Sequence, residues 1–175
     1  MLRKVIVIII LFAFIFGVLP LLFPPLRGLP RYVQLLLENP GDSLPVPVRG
    51  VKPVQLADTW GGPRSGGRRH EGIDIFAPRN TPIVSATHGV VLHAGLNELG
   101  GRVITVMGPG GYRHYYAHLE RHTEHRAGDW VKRGEVIGYV GNSGNARTTP
   151  THLHYGIYRL GGGAINPYPL LAGER

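Results

Sequence analysis

The chain has 175 residues and a mass of 19.1 kDa, is 43% hydrophobic and 17% charged, and carries 26 Gly and 15 Pro. This excludes a mostly disordered chain, a collagen-like chain (no three-residue glycine period) and a long helical bundle, which could not hide so many helix breakers. The lack of Cys removes disulfides, thiolate metal sites and cysteine nucleophiles, while a net charge of +8 suits anionic lipid, an acidic polymer such as cell wall or plain solubility, and the lack of a long Lys/Arg block disfavours nucleic acid.

From Val5 to Phe23 every residue is apolar, with Arg3 and Lys4 just before the run. About 20 apolar residues match the hydrocarbon thickness of a bilayer, and the leading positive charges stay on the cytoplasmic side. The run is too long for a usual signal-peptide core and has no small-residue cleavage site. Residues 1–23 are therefore expected to be a single-pass transmembrane anchor in the cytoplasmic (inner) membrane, with the rest of the chain on the periplasmic or extracytoplasmic side. Residues 24–50 read as a Pro-rich spacer. Within it, Arg31 to Asn39 predicts a short amphipathic helix with Val33, Leu36 and Leu37 on one side.

The globular domain is expected over residues 51–175. Its strand-like stretches are Ile73–Phe76, Pro82–Ala86, Gly89–Ala94, Arg102–Met107, Tyr112–His118, Val136–Val140 and Leu153–Tyr158. Gly108-Pro109-Gly110-Gly111 marks a turn. Gly128 to Gly138 reads as strand, tight turn at Lys132-Arg133-Gly134, and strand, with Trp130 covering core. Short strands at this spacing predict a mainly β, antiparallel domain of sandwich or barrel type.

Nine histidines in a Cys-free chain direct attention to nitrogen and oxygen metal ligands. Two short patterns stand out: His70-Glu71-Gly72-Ile73-Asp74, and His152-Leu153-His154 within a strand. Residues two apart on a strand share a face, so His152 and His154 project together while Leu153 points away. A catalytic zinc ion takes three protein ligands and keeps one position for water. His70, Asp74 and one histidine of the pair would form that set, with the other histidine standing beside it as a base. His118, in Tyr115-Tyr116-Ala117-His118-Leu119, shares a face with Tyr116 if the strand stays regular. His88, His93, His114, His122 and His125 are expected at the surface.

These residues, in the order His-x-Gly-Ile-Asp-Ile, Tyr-Ala-His-Leu, Gly-Asp-x-Val-x-x-Gly-x-x-Ile-Gly and His-Leu-His, resemble the M23 peptidases. Those are the lysostaphin/LytM-type zinc metallopeptidases that cut peptidoglycan. The resemblance runs from about Asp58 to about Pro167. It implies an antiparallel β-sheet groove, one zinc ion on His70, Asp74 and His154, and catalytic roles for His118 and His152. Tyr116 and Arg64 are further candidates for contacts with substrate in the groove. The implied function is hydrolysis of a peptide bond in a peptidoglycan stem or cross-bridge, with His152 taking a proton from water and His118 serving the oxyanion or the leaving amine. All five residues are present. A non-catalytic M23-like regulator that activates a separate wall amidase would have lost one or more of them. A carrier module presenting Lys132 would leave all five unexplained. One departure from the family pattern is the segment Gly141 to Thr151, longer than the usual form, which bears on substrate preference.

Overall fold

A computed structural model describes residues 2–18 and 29–173. Its centre is a nine-stranded, wholly antiparallel sheet. The strands are β1 (Ile73–Phe76), β2 (Pro82–Val84), β3 (Gly89–Asn97), β4 (Gly101–Met107), β5 (Arg113–His122), β6 (Trp130–Val131), β7 (Val136–Val140), β8 (His152–Tyr158) and β9 (Ala164–Ile165). The main path runs β1-β8-β5-β4-β3-β6, with β2 on β7, β7 on β5 and β9 on β8. β1 and β7 have the predicted bounds. β9 and the short helix α3 (Tyr168–Ala172) are too brief to leave a periodic signal.

β5 organises the sheet. One of its edges pairs with β4. The other pairs with β8 over Arg113 to Ala117 and then with β7 from Leu119 onwards. His118 lies at the handover. Between the pairs Arg102↔Leu119 and Ile104↔Tyr116, β4 contributes one residue and β5 two, so the strand bulges there. His118 takes φ +64°, an uncommon angle for a residue with a side chain.

Alternation along the strands sends Ile73, Ile75, Tyr116, Leu153, Tyr155 and Ile157 into the main core with Ile83, Val91, Ile104, Val106 and Leu119. The opposite face of β1, β5 and β8 carries Asp74, Tyr115, His152 and His154 and forms the floor of a cleft. His114 is buried, contrary to its expected surface place. It alternates onto the core face of β5, where its Nδ1 lies 2.7 Å from the Tyr155 hydroxyl. Gly128 to Gly138 does contain the tight turn, with Glu135 N–H bonded to Lys132 O at 3.1 Å. Its two strands do not pair with each other; β6 joins β3 and β7 joins β2 and β5.

At the N-terminus, α1 (Leu2–Ala13) continues into a π-helical segment, Phe14–Val18. Residues 19–23 of the apolar run lie outside the described residues. Among the described residues, no helix is long and apolar enough to cross a membrane. α2 spans Leu29–Leu37. It buries Leu35 against Val90 and Met107, with Tyr32, Leu92 and Trp130 packed around them. Leu36 and Leu37, expected on the packing side, are 43% and 83% exposed, because the docked stripe is the one centred on Leu35. Arg31 sits over the Trp130 ring at 5.6 Å, and Glu38 pairs with His88. The stretch after α2 also packs on the sheet: Val48 is fully buried in the main core, and Pro47 O accepts from Val84 N–H.

Candidate metal centre and active-site cleft

The cleft holds about 1190 Å³ and is bordered by loops containing Arg64 to Glu71, Asn97 to Gly100 and Asn145 to Pro150. On its floor β1 and β8 are paired so that Asp74 lies opposite His154. His70 precedes β1 and is buried. His70 Nε2 lies 2.8 Å from His154 Nδ1 and 3.1 Å from Asp74 Oδ1, and His154 Nδ1 lies 3.2 Å from the same oxygen. Ligand atoms about 2.0–2.1 Å from a tetrahedral zinc ion stand about 3.3 Å apart, so this triangle fits such an ion with slight contraction. These three residues are the group among the described residues whose donor atoms converge in this way. His152 Nε2 is farther out, 3.8 Å from Asp74 Oδ1. Distance therefore separates His154 as ligand from His152 as neighbour, a choice that residue spacing alone leaves open.

Backbone carbonyls set the histidine tautomers. His70 donates its Nδ1 hydrogen to Thr59 O (2.7 Å), His118 to Ser143 O (2.9 Å) and His152 to Pro150 O (2.8 Å). Each neutral ring is left with its lone pair on Nε2. His154 is oriented the other way, with Nδ1 towards the triad. Thr59 also accepts from Asp74 N–H through Oγ1 at 3.0 Å, so a single residue braces two of the three ligands. Arg64 contacts the outer oxygen, Asp74 Oδ2.

Burial alone would push the Asp74 carboxyl up, but hydrogen bonds with His154 and His70 outweigh it and hold the pKa well below the usual carboxylate range. Burial lowers His154. Burial, helped by the neighbouring His152, lowers His118 to about 4. The His118 ring lies 5.1 Å from that of His152 and 5.9 Å from that of His154. The lowered His118 ring and the His152 ring thus stand beside the triad, each with Nε2 turned away from its backbone carbonyl.

The structure brings His70, Asp74, His118, His152 and His154 to one place, with Arg64 on the rim. Tyr116, expected in the groove, does not line the cleft. Its ring is fully buried and its hydroxyl accepts from Ala86 N–H at 2.9 Å. The bulge at His118 breaks the alternation that would have put both residues on one face. Tyr115 lines the cleft instead, its ring edge-on to His154 at 6.0 Å and its hydroxyl bonded to Asn97. The carbonyls of Thr59, Ser143 and Pro150 act through main-chain geometry and leave no residue-type signal, and the single Thr59 hydroxyl that meets Asp74 N–H carries no spacing pattern. Gly72 could have been found, being central to the first pattern. A Cβ there would lie 2.5 Å from Tyr155 O and 2.7 Å from His154 Cε1.

Residues 68–167 match the model of Peptidase family M23. The chain belongs to this family. It is 41% identical to the L-Ala–D-Glu endopeptidase of Bacillus subtilis over 145 residues, which is 76% of this chain and 44% of the relative. It is 37% identical to the DD-carboxypeptidase/endopeptidase Mpg of Neisseria meningitidis over 118 residues, 67% of this chain and 25% of that protein. The chain thus spans less than half the length of either relative. Among solved structures, it is similar to the catalytic domain of lysostaphin from Staphylococcus simulans, with TM-score 0.58 and 30% identity over 65% of this chain and 88% of that one. The antiparallel, LytM-like fold of the family is the one described above.

Proposed function

We propose that this M23 chain is a zinc-dependent endopeptidase that hydrolyses a peptide bond in peptidoglycan stem peptides or cross-bridges, held at the membrane by its N-terminal segment. The carrying observation is the convergence of His70 Nε2, Asp74 Oδ1 and His154 Nδ1 on the floor of an open cleft, beside two histidines with free Nε2 lone pairs. The substrate class is supported by a relative named as a peptidoglycan DD-endopeptidase and by the L-Ala–D-Glu endopeptidase named above. The anchor is supported by the apolar run with its leading Arg3 and Lys4.

His70, Asp74 and His154 would hold the ion. When bound, zinc lowers the pKa of a coordinated water and polarises the substrate carbonyl. The protein's own contribution is proton handling. The Nδ1 bonds of His118 and His152 to backbone carbonyls keep each ring oriented and each Nε2 able to accept a proton from the attacking water. A ring that has gained the proton becomes a donor, able to pass it to the leaving amine or to hydrogen-bond the oxyanion. Tyr115, packed edge-on against His154, closes one side of the site. The sheet floor and flanking loops suit an extended peptide.

All five functional residues are present and assembled, which supports an enzyme over a non-catalytic amidase regulator. The test is mass spectrometry of defined muropeptides incubated with the full chain in detergent, with zinc content measured on the same sample. One new amine and one new carboxyl at a single bond supports the reading. Intact muropeptides with a zinc-loaded chain would refute it.

A further inference from the structure

We propose that the end of the cleft formed by Arg113 and Tyr158 is a subsite for a free carboxylate of the substrate, an inference that rests on the peptidase reading above. Arg113 and Tyr158 are paired across β5 and β8, as are Ala117 and His154. The two pairs are four residues apart on each strand, about 13 Å at ~3.3 Å per residue. A peptide lying along the floor with its scissile bond at His154 therefore reaches Arg113 about four extended residues away.

The Arg113 guanidinium sits 5.6 Å above the Tyr158 ring, on its exposed side of the cleft. Stacking orients the planar fork without consuming its hydrogen-bond donors. Arg113 has no ion pair among the described residues. Glu71 also lines this arm, beside Tyr158. Arg64 is committed to Asp74. Arg68 and Arg69, on the adjoining rim, bond only neutral partners: Ser65 O and Oγ for Arg68, and Gly61 O for Arg69. Glu98 stands on the loop across the cleft.

The other direction is different. Beyond His152 the cleft is lined by Phe76, Ala146, Thr149 and Pro150, with no charged group among them. The two arms thus differ in charge, and a substrate with one acidic end is held in one direction. A guanidinium on an aromatic shelf is suited to bidentate capture of a carboxylate. That carboxylate is either an acidic side chain or a peptide C-terminus.

The test uses the full chain in detergent and four versions of one stem peptide: both carboxylates free, side-chain carboxylate amidated, C-terminal carboxylate amidated, and both amidated. Binding is measured by calorimetry on metal-stripped protein, and KM on zinc-loaded protein. The wild type is expected to bind at least one acid form about tenfold more tightly than the doubly amidated peptide, the scale of one charge-assisted hydrogen bond. The singly amidated peptides identify which carboxylate is read. In Arg113→Gln the ratio falls to about one, and in Arg113→Lys it is partly kept. Equal binding of all four by the wild type, or an unchanged ratio in Arg113→Gln, overturns the subsite. Discrimination in binding without any hydrolysis leaves the subsite standing and removes the peptidase reading, so the two failures are distinct.

Discussion

Arg64 holds the outer oxygen of Asp74 while the inner oxygen of the same carboxylate meets His70 and His154. The carboxylate is thereby restricted to one inward-facing ligand atom. Partners behind a metal ligand commonly contribute about 10–100-fold in affinity. Arg64→Ala should weaken zinc binding by at least about tenfold, read by competition with a chelating dye. Unchanged affinity would reduce Arg64 to a rim charge.

His154 and His152 share a face of β8 but not a role. His154→Ala removes a corner of the triangle and should abolish stoichiometric zinc binding. His152→Ala should leave the zinc content near one per chain and lose turnover, by about two to four orders of magnitude as is typical for acid–base groups. Metal analysis and peptide cleavage on both variants check this, and equal zinc loss would contradict the division.

Gly72 is required by close approach, not by its dihedral angles. The added carbon of Gly72→Ala would strike Tyr155 O and the His154 ring. Overpacking of this kind costs about 1–3 kcal/mol. Urea unfolding should show that loss, together with weaker zinc binding than the wild type at the same pH.

The buried histidines make the fold acid-sensitive. His114 is lowered to about 3 by burial, reinforced by Arg133, and His118 to about 4. Both are depressed below the ordinary value of 6.5, so the unfolded chain binds more protons than the native one below that pH. Stability is full above about pH 6.5 and declines towards pH 4, at up to ~1.4 kcal/mol per pH unit for each histidine. Metal-free protein unfolded in urea at several pH values should show this slope. His114→Gln should reduce it by about one proton, and an unchanged slope would place the sensitivity elsewhere.

The parts of the site that were legible in the sequence depend on local periodicity. His152 and His154 share a face because β8 is regular, and Leu153 enters the core as alternation requires. His70 and Asp74 share a short pattern whose glycine permits close packing. Tyr116 faces the core while His118 faces the cleft because the alternation fails at His118 itself, where β5 changes neighbours, and no residue type announces such a bulge. The covered stripe of α2 is not legible because Leu35, Leu36 and Leu37 are chemically alike, and their partners on the sheet, Val90 and Met107, decide which one is covered. The tautomers of His118 and His152 depend on carbonyls from Ser143 and Pro150, groups that every residue possesses.

The seating of Leu35 also limits how far the cleft can travel. With α2 fixed to β3 and Val48 locked into the core, the only stretch between the apolar run ending at Phe23 and the start of α2 at Leu29 is residues 24–28. Five residues extend to about 18 Å at most. If, as proposed, the run lies in a bilayer, the cleft is confined to a shallow layer next to the lipid surface.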